Sequence, residues 1–355
     1  MLPGPVMDEP TTAEPESVGR CQVHAGCRGD AAGLRALDEQ RRRRLSVLGM
    51  ALGVELPMPP PAPPGRARVG LRPLPDGRLG QALPGSHDLV PLTSCTLLHP
   101  RLNQALPALP RVPRGLREVE LRTDGERLVF AARSPRPGRD PALAQALTRL
   151  AEEHGEGLFD GLALDGRTLW GEAEVRFEVE GITHRLGPET FFQVHPEVNR
   201  QVVAAVVQAV RAAEASAVLD LYAGCGNLGL PLARAGLALT MIESAASSVA
   251  DARRTAAAHG LTVDIRAGDA GAFKAGQAFF DAVVLDPPRA GAPGVLAQLV
   301  LTRPRLIVYL SCTPALLARD LAPALKSGYR LDLVQAFDMF PGTEHLEVLA
   351  VLRRV

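Results

Sequence analysis

The hydrophobic pattern of this chain changes character twice. Residues 1–20 are nearly devoid of apolar positions and rich in Pro, Glu, Thr and Ser, a composition that cannot offset the entropy of ordering, so a disordered tail is expected. Over 33–52 the leucines Leu34, Leu37, Leu45, Leu48 and Leu52 predict a helix with one apolar edge, interrupted by the basic block Arg41 to Arg44. The proline run 57–64 then forces extended chain. Residues 65–187 carry short strand-like runs at 118–121, 128–132 and 175–179 between turn signals, with a helix predicted over 141–154.

After residue 187, helices alternate with all-apolar strands, the pattern of an open, mostly parallel sheet covered on both faces. A helix over 197–213 leads into a strand over 217–221. Further strands are predicted at 238–242, 263–265, 282–285, 306–310, 331–336 and 347–352, the final two as an antiparallel pair closing the sheet. The expected organisation is a tail (1–20), an N-terminal lobe (21–64), a small α+β domain (65–187) and an α/β, Rossmann-like domain (188–355), with no internal repeat.

At 355 residues, 46% hydrophobic and 22% charged, the chain is long enough for two or three cores. No apolar stretch approaches the roughly 18 to 20 residues that span a bilayer, and no secretory leader is visible. No membrane and a cytoplasmic location are therefore expected. Five cysteines, an odd number without a dense framework, suit a reducing compartment. A net charge of +0 argues against a uniformly basic surface, yet Arg outnumbers the acids within residues 1–140. Any electrostatic footprint is expected on that half, although abundant Arg alongside Ala, Gly and Pro also fits a compositional bias.

Gly224, Gly226 and Gly229 form a G-x-G-x-x-G pattern directly after a predicted buried strand, and Glu243 ends the next strand. A tight turn and a carboxylate for ribose hydroxyls serve a dinucleotide and S-adenosylmethionine alike. Asp220, just before the turn, is placed to meet a cationic amino group, which adenosylmethionine has and NAD lacks. The strand over 282–285 ends in Asp286-Pro-Pro-Arg289, stiff chain at the sheet edge where ligands bind in such folds. Cys312, within Leu-Ser-Cys-Thr-Pro, and Glu347, closing Phe-Pro-Gly-Thr-Glu-His-Leu-Glu, look like a nucleophile and a base.

Phe191-Phe-Gln193-Val, Asp220 to Gly229, Asp286-Pro-Pro-Arg289, Tyr309-Leu-Ser-Cys312-Thr-Pro, Arg319-Asp320 and Phe337 to Glu347 occur in an order that resembles the RNA (uracil-C5) methyltransferases. The resemblance is strong over 190–355 and fainter through Cys21, Cys27 and Cys95-Thr-Leu-Leu-His-Pro100. It implies a class I methyltransferase domain that uses S-adenosylmethionine to methylate a uridine, beside an RNA-binding central domain. Cys312 would add to C6, its pKa lowered beside the cofactor. Glu347 would remove the C5 proton, and Asp286 and Arg289 would orient the base and stabilise charge on its carbonyl. Gln193, Tyr222, Asn227, Glu243 and Asp286 would contact the cofactor, with Asp269 near the adenine. Cys225 reads as a small filler, and His345 as a support for Glu347 or a cap of the strand.

The chain departs from the family pattern at Thr313, where Asn or Asp is common, and at His195, where Asn is usual. It also reads Pro-Gly-Arg at 64–66, where an Arg-x-Lys type segment is expected. Cys21, Cys27 and the later Cys95 resemble the ligands of a 4Fe-4S cluster found in ribosomal RNA members, with Asp30 in the remaining place; a decayed site is the alternative. By the same resemblance this remnant favours 23S ribosomal RNA, and the short polar span before Cys21 favours the compact ribosomal type, acting on a loop uridine. A tRNA substrate with the same chemistry, an inactive RNA-binding protein and a nicotinamide oxidoreductase are the alternatives. For Arg41 to Arg44, a solvated face and contact with the RNA backbone are both open.

Overall fold

The computed structural model describes residues 30–83, 86–274 and 279–355. Its first element is α1 (Ala31–Leu52), started by the Asp30 carboxylate, which accepts from the Gly33 amide at 2.8 Å, and stopped by Gly53 at φ 70°. The proline run that follows has no regular structure.

A first sheet is then assembled from β1 (Arg68–Pro73), β2 (Leu79–Ala82), β3 (Leu89–Pro91), β4 (Glu118–Thr123), β5 (Leu128–Arg133), β6 (Gly161–Leu164) and β7 (Arg167–Gly171). Helix α2 (Pro100–Ala105) precedes β4, and α3 (Pro141–His154) lies between β5 and β6. The spatial order is β3-β2-β1-β4-β5-β6-β7. Only β5 and β6 pair in parallel, which demands the crossover that α3 supplies. Leu143, Leu147 and Leu150 of α3 bury at helical spacing in one core with Phe130 and Leu162.

The hairpin of β8 (Val175–Val179) and β9 (Ile182–Leu186) belongs to a different core. Its inward residues Val175, Phe177 and Val179 pack with α4 (Pro196–Ala212) and the C-terminal sheet. That sheet is built from β10 (Ala217–Leu221), α5 (Gly229–Arg234), β11 (Ala238–Glu243), α6 (Ala246–Ala258), β12 (Asp264–Ala267), β13 (Ala282–Leu285), α7 (Val295–Thr302), β14 (Leu306–Ser311), α8 (Pro314–Lys326), β15 (Tyr329–Phe337) and β16 (Glu347–Arg354). Its order is β12-β11-β10-β13-β14-β16-β15, with β10 to β14 mutually parallel. β13 and β14 are buried at every position, which is why they read as unbroken apolar runs.

The last strand inserts between β14 and β15, antiparallel to both. The expected pairing of the two final strands is present, but the edge is β15. Its mixed sequence, with Arg330, Asp332 and Gln335, tolerates a half-exposed position, whereas Val348 to Leu352 is fully buried. This inversion positions the site. Because β16 runs against β14 with Ser311 opposite Val348, Glu347 starts where β14 ends and Cys312 follows. Among the described residues no helix is long and apolar enough to cross a membrane.

Candidate active site

Four strands of the C-terminal sheet end at one edge, and their ends carry the polar residues. β10 leads into Tyr222, whose φ of 59° is rare for a residue with a Cβ and marks a turn held by its surroundings. Asp220 points under this turn. A Cβ on Gly229 would lie 2.6 Å from Asp220 Oδ2, so only glycine lets α5 start this close. Asp220 is 1% exposed and, among the described residues, neither carboxylate oxygen has a well-formed hydrogen-bond partner, the Gly229 amide lying near without good geometry. Burial first, then the charges of Asp286 and Glu243, push its pKa well above the carboxylate range. Glu243, ending β11, accepts from the Gly224 amide at 2.9 Å and the Ala245 amide at 2.6 Å, and so ties the glycine turn to its neighbour.

Asp286 follows β13 and accepts from Gln193 Nε2 at 3.1 Å. Burial raises its pKa to about 7, with the Gln193 bond opposing. The Asp286-Pro-Pro-Arg289 turn is anchored from below. Asp320 Oδ2 accepts from Tyr309 Oη at 2.6 Å and from the Ala292 amide at 2.9 Å, while Arg319 Nε reaches Asp320 Oδ1 at 2.8 Å and Arg319 Nη2 reaches Ala290 O at 3.1 Å. This accounts for the Arg319-Asp320 pair: it fixes the turn without entering the cleft.

Cys312 is half-buried at the end of β14. Thr313 Oγ1 lies 3.9 Å from its Sγ and donates to Arg289 O at 3.1 Å, so the residue at the variant position links the two loops. The thiol does not have the lowered pKa expected from sequence. Burial, the neighbouring Glu347 and more weakly Asp286 push it up, against Thr313 and Arg289. Glu347 is 1% exposed and, among the described residues, its Oε1 has no hydrogen-bond partner. Burial and then Asp286 hold its pKa well above the usual range.

Gln193, Tyr222, Asn227, Glu243, Asp286, Cys312 and Glu347 all line one cleft of about 590 Å³, together with Asp220, Asp269 and Arg289. Asn227 enters it with its amide committed, since it exchanges two hydrogen bonds with Asn199 of α4, at 2.7 and 2.9 Å. Cys225 is fully buried with its pKa raised to about 12 by burial, consistent with a filler. His345 is half-buried and edge-on to Phe340, its amide donating to Thr343 Oγ1 at 3.3 Å, and among the described residues it makes no bond to Glu347. His195 has a structural task that sequence did not reveal. Its Nδ1 caps α4 at the Val198 amide (3.4 Å), and its Nε2 holds Pro63 O at 2.8 Å.

One charged cleft residue escaped the sequence reading, which named its neighbour Phe191 only as part of a motif. Arg68 of β1 places its guanidinium 4.5 Å from the ring centre of Phe191, which is 51% exposed, and both line the cleft. Burial lowers the Arg68 pKa to about 10, with Glu120 opposing. An inward charge on a strand shows no signal until its face is known. The basic block likewise resolves differently from either expectation at two of its positions. Arg41 is 5% exposed and bonded to protein, and Arg44 pairs with Glu344 at 2.9 Å; only Arg42 and Arg43 are exposed.

Cys95 is 3% exposed in the core of the first sheet, its backbone bridged by the Asn103 side chain. Cys21 and Cys27 lie outside the described residues, and among the described residues no group of three or more His, Cys, Asp or Glu could hold a metal.

Residues 201–300 match the family described as methyltransferase small domain, and residues 273–355 match tRNA (uracil-5-)-methyltransferase. The 23S rRNA (uracil(1939)-C(5))-methyltransferase RlmD of Edwardsiella ictaluri is 36% identical over 288 residues, covering 77% of this chain and 64% of the relative. Its counterpart from Dichelobacter nodosus is 33% identical over 283 residues, covering 76% and 65%. The chain thus spans 64% and 65% of the lengths of these two curated relatives. The tRNA (uracil-54, C5)-methyltransferase of Pyrococcus abyssi, solved with S-adenosyl-L-homocysteine, matches with a TM-score of 0.73 over 89% of this chain and 83% of that one, at 24% identity.

The fold is therefore that of a class I methyltransferase. The chain belongs to the RNA (uracil-C5) methyltransferase family. These relatives carry the RlmD name, where the sequence reading favoured the compact ribosomal type.

Proposed function

We propose that this chain methylates C5 of a uridine in 23S ribosomal RNA, with Cys312 as nucleophile and Glu347 as base. One observation carries the reading: a half-exposed thiol and a buried carboxyl with an unpartnered oxygen share one sheet edge. The ribosomal substrate is supported by the names of the relatives at 33% to 36% identity. Action in the cytoplasm, without a membrane partner, belongs to the same proposal, as does a 4Fe-4S cluster on Cys21, Cys27 and Cys95, to which no chemical step is assigned.

The cleft suits S-adenosylmethionine, which when bound supplies a methyl group made electrophilic by its sulfonium. The unpartnered Asp220 carboxylate answers the cationic amino group, and Glu243 stands at the strand end that serves ribose hydroxyls. Tyr222 and Asp269 border the same space. Gln193 acts by holding Asp286, and Asn227 by fixing the glycine turn to α4.

C5 of uracil is a poor nucleophile. The Cys312 thiolate forms an Sγ–C6 bond, and the C5–C6 π electrons shift towards the C4 carbonyl, which leaves C5 electron-rich. Asp286 and Arg289 face the same cleft and orient the pyrimidine edge while that charge develops. Once C5 carries its methyl group, Glu347 takes the C5 proton. The C5–C6 double bond re-forms, the Sγ–C6 bond breaks, and Cys312 returns as thiolate.

Separate variants of the two residues test the assignment. Cys312→Ala is expected to lose both turnover and covalent adduct. Glu347→Gln is expected to transfer the methyl group yet retain RNA in a complex that survives denaturing electrophoresis. Normal turnover by Glu347→Gln, with no adduct, removes Glu347 from the role of base.

A further inference from the structure

We propose that Arg41 is a positioning residue for Glu347, so that α1 forms part of the catalytic apparatus. The inference deepens the functional reading above and rests on its assignment of Glu347 as base. Glu347 opens β16, and the chain reaches it from Phe337, its partner across the β15–β16 ladder, through the loop 338–346. With Oε1 unpartnered, the carboxyl draws little direction from side-chain bonds, and its aim depends on the backbone that delivers it.

That backbone is held from α1. Arg41 Nη2 donates to Asp338 Oδ1 at 2.9 Å and to Phe340 O at 3.0 Å, and its Nε donates to Thr343 O at 2.7 Å. One planar guanidinium therefore fixes three points of the loop, and the ion pair is buried, with side chains 6% and 5% exposed. Asp338 Oδ2 in turn accepts from the Ala62 amide at 3.1 Å, bringing in the proline run. Arg44 Nη1 adds a bond to Glu344 O at 3.0 Å, and Gln40 Nε2 one to Glu344 Oε2 at 2.5 Å. On its other side the loop is packed without slack: a Cβ on Gly342, at φ 70°, would lie 2.4 Å from Leu97 Cδ1.

The helix itself argues against a purely electrostatic role for the block. Arg41, Leu45 and Leu48 share the buried face, while Arg42 and Arg43 point to solvent. An RNA-binding role would be shared by the exposed pair, and a positioning role belongs to Arg41. The two differ in the step they affect. Loss of phosphate contacts weakens RNA binding, whereas misplacing the base slows release of the C5 proton after methyl transfer.

The test uses full-length protein, S-adenosylmethionine and unmodified 23S rRNA transcript carrying tritium at uracil C5. Arg41→Ala is expected to slow tritium release by roughly ten- to a hundredfold and accumulate covalent RNA adduct, without raising the KM for RNA. Arg41→Lys should restore part of the release rate, and the Arg42→Ala/Arg43→Ala double variant should release tritium at the parent rate. Asp338→Asn keeps the side-chain volume and provides the same readout if Arg41→Ala does not fold. Wild-type release by a folded Arg41→Ala or Asp338→Asn overturns the proposal, as does a slowing that appears only as raised KM and is matched by the double variant. Glu347→Gln, run in parallel, separates the two claims: if it yields no adduct, the assignment of the base has failed rather than the role of Arg41.

Discussion

Burial raises the pKa of both the Cys312 thiol and the Glu347 carboxyl, reinforced by Glu347 at the thiol and by Asp286 at the carboxyl. The proposed chemistry needs both deprotonated, so the single-turnover rate should climb with pH across neutrality and show no fall between about pH 6 and 9. Asp286, raised to about 7, adds an inflection near neutrality that Asp286→Asn should remove. A profile that declines with pH over this window contradicts the assignment. Asp220 makes an opposite demand. A carboxyl whose folded pKa is raised contributes stability below its unfolded pKa, and that contribution is lost as pH rises through the folded value. Asp220→Asn should therefore raise the thermal midpoint above neutral pH in ligand-free protein, while weakening the rise that S-adenosylmethionine produces. Calorimetry with and without ligand reads both effects. An Asn variant with undiminished ligand stabilisation rules Asp220 out as an amino-group partner.

At the scale of elements, the turn after β13 depends on one glycine. Gly291 has φ 75°, and a Cβ there would lie 2.2 Å from Asp320 Oδ2, the acceptor that anchors the turn. Gly291→Ala should cost about 1 to 3 kcal/mol in stability. It should also reduce methyl transfer, because Asp286 and Arg289 ride on this turn; chemical denaturation together with a single-turnover assay checks the pair. Elements with strong local signals were legible in sequence. α3 and the strands Ala217–Leu221 and Ala282–Leu285 have the predicted bounds, because helical leucine spacing and unbroken apolar runs are set locally. The insertion of β16 was not legible, since no local pattern tells an inner strand from its hairpin partner until the sheet is assembled. Arg41 was hidden for the same reason: its acceptors lie about 300 residues along the chain. The direction of the Cys312 shift was misjudged because a strand end suggests exposure, whereas packing surrounds this one with carboxylates.

At the scale of the whole molecule, the cleft is not the property of the C-terminal sheet alone. Arg68 comes from the first sheet, and α1 with the proline run braces the loop before Glu347. The seven expected cofactor and catalytic residues nevertheless converged, because motifs at the ends of parallel strands are brought to one edge by topology. The N-terminal cysteines did not become legible in the same way, with Cys95 alone among the three in the described region. The excess of Arg within residues 1–140 is partly taken up by acidic partners within the protein, as Arg41, Arg44 and Arg68 show, so the charge count overstates what faces a nucleic acid. The central claim concerns the reaction and its substrate. The most direct measurement is transfer of a labelled methyl group from S-adenosylmethionine to unmodified 23S rRNA and, separately, to unmodified tRNA, with the modified base mapped. Label recovered as 5-methyluridine in the 23S RNA is the predicted result; label confined to tRNA, or absent from both, would contradict it.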